Sequence, residues 1–333
     1  MTAQFKIESF NIEITTCCPL KCPQCYCSLT GGKHIPLARA KEILRQAANA
    51  GARHVELSGG ETLLYPHLYE LIQAASEYGL ETNIAISGWG FTFDVLQKLK
   101  AAKLTNIFVS LNGPTEETNA LTRDGFHLAI NALKILQEAN FQNVLINWVM
   151  HRQTADLLPE MISLAEKYSV KAIVVMQPKP TARHELESIP TREQMEAVVK
   201  TIRNNKSKVK IYVETCFSPL LALYGKNWLT GNLNIGENKG CSAGRSSFSV
   251  NVDGAFSPCR HLEYFENNNS LTDYWKNSEI LSIIRNLENH QHAPCDTCEF
   301  CKYCRHCLSI NAKLNNSLYI GNELCPLANT KKQ

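Results

Sequence analysis

Three cysteines, Cys18, Cys22 and Cys25, stand in the stretch TTCCPLKCPQCYC at positions 15–27, directly after a strand-like run. The thiolate is the form of cysteine that binds metal. Three thiolates at this spacing on one short loop reach three corners of a cubane iron–sulfur cluster. The fourth iron then has no protein ligand and is free to bind a small molecule. A structural zinc site takes four closed ligands, normally as paired C-x2-C units, and would need Cys17 or Cys27 as the fourth. A ferredoxin cluster would also need a fourth cysteine. A second group follows the next strand-like run, in LSGGETLLYPHL, where Gly59, Gly60 and Glu61 are adjacent. Paired glycines let the backbone come close to a ligand. A carboxylate beside them can accept hydrogen bonds from an ammonium group.

Sulfur is grouped elsewhere too. Of 14 cysteines, five lie between 17 and 27 and six between 295 and 325, with none from 28 to 215. Cys241 precedes a segment ending in Gly254-x4-Cys259, and PCDTCEFCKYCRHCLS places Cys295, Cys298, Cys301, Cys304 and Cys307 two residues apart. Cys325-Pro326 closes the set. Spacing of two suits ferredoxin-type cluster loops and zinc ribbons alike. The N-terminal stretch MTAQFKIESFNIEITTCC has no basic start followed by a long apolar run. It therefore does not read as a secretory signal, and no stretch reaches the ~18 apolar residues of a membrane helix. A cytoplasmic location is expected, where thiols stay reduced and such groups read as metal sites before disulfides. The net charge of +3 is too small to argue for nucleic acid or a membrane surface.

These side chains must be positioned by the elements around them. The runs FNIEIT (10–15), HVELSG (54–59), TNIAISG (82–88), NIFVSLNG (106–113), VLINWVM (144–150) and AIVVMQ (172–177) read as strands. Amphipathic segments separate them. In PLARAKEILRQAANAG, Leu37, Ile43, Leu44 and Ala47 fall at helical spacing, with Gly51 as C-cap. Other helices start near Pro66, Phe93, His127, Leu157 and Glu193. Alternating strands and helices with nearly continuous apolar strands predict a parallel sheet covered by helices, as an open sheet or a partial barrel. Chemistry in either collects at the C-terminal strand ends. FSVNVDGAF (248–256) reads as a hairpin around Asp253-Gly254, and LTDYWKNSEILSIIRNLE (271–288) as one helix. A region so poor in apolar strands needs metal sites for stability.

On these residues the chain resembles the radical S-adenosylmethionine superfamily. Its C-x3-C-x2-C signature, in the loop after the first barrel strand, is matched by Cys18, Cys22 and Cys25. That family usually has an aromatic residue before the last cysteine; here Gln24 stands there and Tyr26 follows instead. The resemblance implies that Gly59, Gly60 and Glu61 meet the methionine amino group. It places Ser87 on the ribose, Ser110 and Asn112 (in VSLNGP) where relatives have SLDG, and Arg123 (in LTRDGF) on the methionine carboxylate. Without it, Ser87 and Ser110 read as turn residues and Arg123 as a surface or capping residue. The C-terminal cysteines resemble the SPASM extension, which implies two auxiliary 4Fe-4S clusters. By that likeness Cys241, Cys259 and Cys307 hold one and Cys295, Cys298, Cys304 and Cys325 the other, while Cys301 has no standard role. One spacer is a residue short, so Cys301 can exchange with Cys298 or Cys304. Cys216 is either a further ligand or a hydrogen-donating thiol, and Cys17 and Cys27 are unassigned.

The resemblance implies a fold and an organisation: an α/β partial (β/α)6 TIM barrel over 1–213, a bridging region 214–240, and a small Cys-rich α+β iron–sulfur domain over 241–333. It also implies reductive cleavage of S-adenosyl-L-methionine to a 5′-deoxyadenosyl radical that takes hydrogen from a peptide. The leading expectation is maturation of a ribosomally made peptide by a thioether or carbon–carbon crosslink, or by epimerisation. The alternatives are a formylglycine-forming sulfatase-maturating enzyme, a small-molecule radical dehydrogenase, and a non-catalytic zinc or iron–sulfur protein. The first strand begins near residue 10 with no peptide-recognition module ahead of it, so either a separate peptide-recognition partner or none is expected, along with an external flavodoxin- or ferredoxin-type reductant. No residue reads as specific for a peptide side chain: packing explains Met150, His151, Met176, Gln177, Tyr224 and Trp228 as well as a cavity does.

Overall fold

A computed structural model describes residues 5–27, 32–180, 183–225, 240–304, 306–321 and 325. Trp228, Pro326 and most of the expected bridging region lie outside the described residues. Nine strands occur among the described residues: β1 (Ser9–Thr15), β2 (His54–Gly59), β3 (Glu81–Ile86), β4 (Asn106–Ser110), β5 (Val144–Val149), β6 (Ala172–Met176), β7 (Lys210–Val213), β8 (Ser247–Val250) and β9 (Phe256–Ser257). The chain divides into two compact units, each described here by itself. One comprises Met1–Ser110, Arg123–Leu145 and Ala243–Ile284; the other comprises Leu111–Thr122, Ile146–Ser242 and Arg285–Gln333.

In the first unit the strands run in the order β4-β3-β2-β1-β8-β9. All pairs among β1 to β4 and between β1 and β8 are parallel, and only β8–β9 is antiparallel. Ile12, Ile14, Val55, Leu57, Ile84, Ile107 and Val109 are fully buried. Helix Leu37–Asn49 presents Ala40, Ile43, Leu44 and Ala47 to the core, and Gly51 follows its end at φ +98°. The expected hairpin forms, with Gly254 at φ +81° in its turn. Its first strand also extends the parallel sheet beside β1, pairing Ser9 with Ser247 and Ile12 with Val250.

A buried polar bridge fixes that register. Asn11 Nδ2 donates to Ser58 Oγ at 2.7 Å and to Glu56 O at 3.1 Å, and Ser249 Oγ donates to Asn11 Oδ1 at 3.2 Å. One side chain on β1 thereby ties β2 on one side and β8 on the other.

The second unit orders its strands β7-β6-β5, with β6 and β7 parallel. The helices Leu158–Lys167 and Arg192–Asn204 follow β5 and β6. The latter begins with a capping box between Thr191 and Gln194. Strand β7 is a seventh strand beyond the six runs read from sequence. It has four residues and a lysine-rich approach, yet Val209, Ile211 and Val213 alternate inward. The single helix expected over 271–288 is instead two, Leu271–Asn277 and Glu279–Arg285. Ser278 breaks it: its backbone is extended and its hydroxyl accepts from Leu281 N at 3.3 Å, which caps the second helix.

Asn11→Ala leaves two buried hydroxyls without their partner, and chemical denaturation is expected to register a loss of about 1–3 kcal/mol.

Candidate functional site

The cysteine loop leaves β1 at an irregularity. Register on β2 shifts between Glu13 and Thr15, so that Thr15 lies opposite Gly59. Bulges of this kind re-aim the chain at a strand end. The two strand ends then lock together through their backbones. Gly60 N–H donates to Thr15 O and Glu61 N–H to Cys17 O, each at 2.7 Å. The glycines are required by this approach. A Cβ on Gly59 would lie 2.1 Å from Thr15 O, one on Gly60 would lie 2.1 Å from Cys17 O, and Gly59 has φ +137°.

Glu61 is almost fully buried. Its Oε1 accepts from Leu63 N at 3.2 Å, and its Oε2 accepts from Ser87 N at 2.8 Å and from the Ser87 hydroxyl. Burial raises its pKa, against the lowering influence of the Ser87 and Leu63 hydrogen bonds and the Arg123 charge. Arg123 also lies within electrostatic reach of Cys25. Structure therefore groups Cys25, Glu61, Ser87 and Arg123 at one end of the first unit's sheet.

The three loop cysteines differ in character. Burial pushes the Cys18 thiol up, reinforced by the charges of Glu61, Cys22 and Cys25. Cys25 is exposed and lowered to about 6, by a hydrogen bond with the Cys27 thiol and by Arg123. Cys27 Sγ also lies 3.1 Å from Gly59 O, the alternative acceptor for its one proton, and Cys17 Sγ lies 3.8 Å from His34 Nε2. All fourteen cysteines are free thiols. Among the described residues no three His, Cys, Asp or Glu side chains gather tightly enough to hold a single metal ion. A cubane spreads its thiolates wider than one ion does, because each binds a different corner. Mutually repelling thiols with a cation nearby fit such a group, whose irons neutralise the sulfur charge.

Some expected residues also make contacts within the scaffold. Asn112, in the second unit, donates to Thr122 Oγ1 at 3.0 Å and accepts from Val149 N at 3.1 Å, and its carbonyl accepts from Trp148 Nε1. Ser110 is half-buried at the end of β4. Tyr26, the aromatic residue displaced by one position, is held by others: Arg260 Nη1 donates to its hydroxyl at 3.1 Å and His261 meets its ring edge-on at 4.4 Å. Arg260 also reaches Glu56 Oε2 at 2.5 Å. The sequence carries no signal for this network beyond an Arg beside Cys259. The His261 N–H donates to Cys259 Sγ at 3.4 Å. Gly254 of the G-x4-C pattern packs against Arg39, which donates to Gly254 O at 2.9 Å.

In the second unit one pocket is lined by Cys295, Cys298, Cys301, Cys304 and Cys325, with His306, Ser218 and Gln291. Successive turns build it: Cys298 N donates to Cys295 O and Cys301 N to Cys298 O, each at 3.1 Å. Phe300 N–H donates to Cys298 Sγ at 3.4 Å. Cys307 is not in this pocket. It packs with Cys216 and Ile310, with Cys241 beside them. Hydrogen bonding to Cys216 lowers Cys307 to about 7.

Comparison with known proteins fits this geometry. A family model described as the Radical SAM superfamily matches residues 12–165, and one described as an iron-sulfur cluster-binding domain, SPASM, matches 241–307. The PqqA peptide cyclase of Rhizobium meliloti (strain 1021) is 31% identical over 297 residues, covering 82% of this chain and 74% of that protein. The PqqA peptide cyclase of Xanthomonas euvesicatoria pv. vesicatoria (strain 85-10) is 29% identical over 304 residues, covering 83% and 76%. Among solved structures, Streptococcus suis SuiB bound to S-adenosylmethionine superposes with a TM-score of 0.77 at 19% identity, covering 97% of this chain and 78% of that one. The native anSMEcpe with bound AdoMet gives 0.74 at 15%, covering 95% and 93%. At these identities the structural likeness shows the fold, an α/β chain with an open parallel sheet. No helix among the described residues is long and apolar enough to cross a membrane.

Two outcomes follow from the loop. Gly60→Ala forces a Cβ into the Cys17 carbonyl, and anaerobic reconstitution of this variant is expected to lose iron relative to the parent. In metal-free protein at pH 7, iodoacetamide is expected to label Cys25 before Cys18, because only the thiolate reacts. Labelling of Cys25 should fall as pH drops through about 6. Peptide mapping by mass spectrometry reads both rates.

Proposed function

We propose, from the premise that the chain belongs to the radical SAM superfamily and carries a SPASM domain, that this enzyme crosslinks residues within a ribosomally made peptide. The observation that carries the reading is likeness over most of the chain to enzymes whose name states that they cyclise the PqqA peptide. When bound, S-adenosyl-L-methionine and the reduced cluster supply a 5′-deoxyadenosyl radical that removes hydrogen from an unactivated carbon.

The chain's own groups have assignable tasks. Cys18, Cys22 and Cys25 hold three corners of the radical cluster. Gly59 and Gly60 bring the second strand end against that loop. Glu61 and Arg123 present opposite charges beside it, which suits the amino and carboxylate groups of a methionine moiety. Ser87 holds Glu61 in place. Ser87 is also the candidate for the ribose contact, and Ser110 and Asn112, at the position where relatives have SLDG, are further cofactor-binding candidates.

Two auxiliary 4Fe-4S clusters complete the proposal. Cys295, Cys298, Cys304 and Cys325 hold one, with Cys301 in the same pocket as an alternative ligand. Cys241, Cys259 and Cys307 hold the other. The packing of Cys216 against Cys307 supports Cys216 as its fourth ligand over a free hydrogen donor. Two such clusters favour net oxidation, since a substrate radical must lose an electron. A flavodoxin- or ferredoxin-type reductant supplies the electron to the radical cluster.

Incubating reduced, reconstituted enzyme with the peptide encoded beside it tests this. The expected product is a peptide lighter by a pair of hydrogens, together with 5′-deoxyadenosine. Deuterium uptake from solvent without oxidation would instead establish epimerisation. Cys18→Ala is expected to stop release of 5′-deoxyadenosine, whereas Cys307→Ala keeps that release and loses crosslinked product.

A further inference from the structure

The second unit buries an ion pair that the chemistry above does not use. Lys179 Nζ donates to both oxygens of Glu214, at 2.8 and 3.0 Å. The side chains are only 9% and 24% exposed. Backbone groups complete the arrangement: Gln177 N–H donates to Glu214 Oε2 at 3.2 Å, and Lys179 Nζ makes a longer contact of 3.4 Å to Gln177 O. A turn in which Phe217 N–H donates to Glu214 O at 2.9 Å carries the chain from Glu214 to Cys216. Cys216 is 8% exposed and packs on Cys307, which is 3% exposed.

Both charges act on both sulfurs. The two-point contact of Lys179 Nζ with the Glu214 carboxylate is that of an ammonium paired with a carboxylate. Glu214 stands two residues before Cys216, at the start of that turn, and its carboxylate is held by Lys179 at 2.8 and 3.0 Å. At Cys307 the cation outweighs the carboxylate, and at Cys216 the order is reversed. A buried ion pair thus stands two residues along the chain from Cys216 and its neighbour Cys307, where charge is weakly screened.

We propose that Lys179 and Glu214 set the reduction potential of the auxiliary cluster held by Cys216 and Cys307, Lys179 raising it and Glu214 lowering it. This rests on the ligand reading given under the proposed function. Cluster potentials depend on net charge and burial around the sulfurs. Adding one electron makes a thiolate-bound cluster more negative; a neighbouring ammonium stabilises that state and a neighbouring carboxylate opposes it. The step tuned is the uptake of one electron by the cluster, with no bond formed or broken. Lys179 and Glu214 are therefore positioning residues for electron flow, not groups that touch substrate.

Redox titration of the reconstituted full chain with dithionite, followed by electron paramagnetic resonance, tests the proposal. Lys179→Met is expected to shift the one-electron equilibrium of this cluster tenfold or more toward the oxidised form, a fall of about 59 mV. Glu214→Gln should shift it the opposite way, the double variant should return toward the parent, and Lys179→Arg should keep the parent potential. Unchanged potentials in Lys179→Met and Glu214→Gln overturn the proposal. Where Lys179→Met fails to assemble the cluster, Glu214→Gln decides alone, and no rise overturns it. Iron counting on Cys307→Ala separates the two levels. A drop of up to about four irons supports the ligand reading, leaving the potentials to judge the electrostatic role. No drop refutes the ligand reading and this proposal with it.

Discussion

The site depends on how closely two backbones approach. A loop carrying three cysteines has no core of its own, so something must hold it. Here the Gly59-Gly60-Glu61 turn provides that hold, through two 2.7 Å hydrogen bonds to Thr15 O and Cys17 O. The contact is possible only without side chains, because a Cβ at either glycine would overlap a carbonyl oxygen. Everything downstream inherits its geometry from this seam. Glu61 is buried because the seam places it under the loop. Ser87 and Leu63 then satisfy its carboxylate, as a buried charge requires.

That burial also creates the electrostatics. Glu61 and the thiols repel one another, and Arg123 offsets both by lowering the pKa values of Glu61 and Cys25. The loop thus gathers anionic groups with the Arg123 cation within reach of Cys25 and Glu61. It suits a cationic iron core and a ligand that carries both an ammonium and a carboxylate. The second unit repeats the theme with Lys179 and Glu214 beside Cys216 and Cys307. In both places protein charges surround sulfur before any iron is counted.

Much of this was legible in the sequence because it is local. Six strand runs, the starts of the main helices and the hairpin at Gly254 follow from periodicity and turn chemistry, and the structure places them within a few residues. What was not legible is non-local or short. β7 has four residues and little contrast with its lysine-rich flank. Ser278 ends a helix by capping the next one, a role that a hydropathy pattern does not register. Paired glycines at 59 and 60 imply room for a ligand, whereas the nearest neighbours in the structure are the carbonyls of Thr15 and Cys17. Regular spacing could not separate Cys307 from Cys304, yet one packs on Cys216 and the other lines the pocket with Cys295. Nor could it show that Tyr26 is held by Arg260 and His261.

The central claim is that the loop cysteines alone hold the cluster that meets S-adenosyl-L-methionine. Electron paramagnetic resonance of the reduced, reconstituted chain, recorded with and without S-adenosyl-L-methionine, tests it most directly. The account predicts that one signal changes on addition of the ligand. Replacing Cys18, Cys22 and Cys25 together by alanine should remove that signal and leave the remaining ones in place. Survival of a ligand-sensitive signal in the triple variant would contradict the account, because the radical chemistry would then start at another set of cysteines.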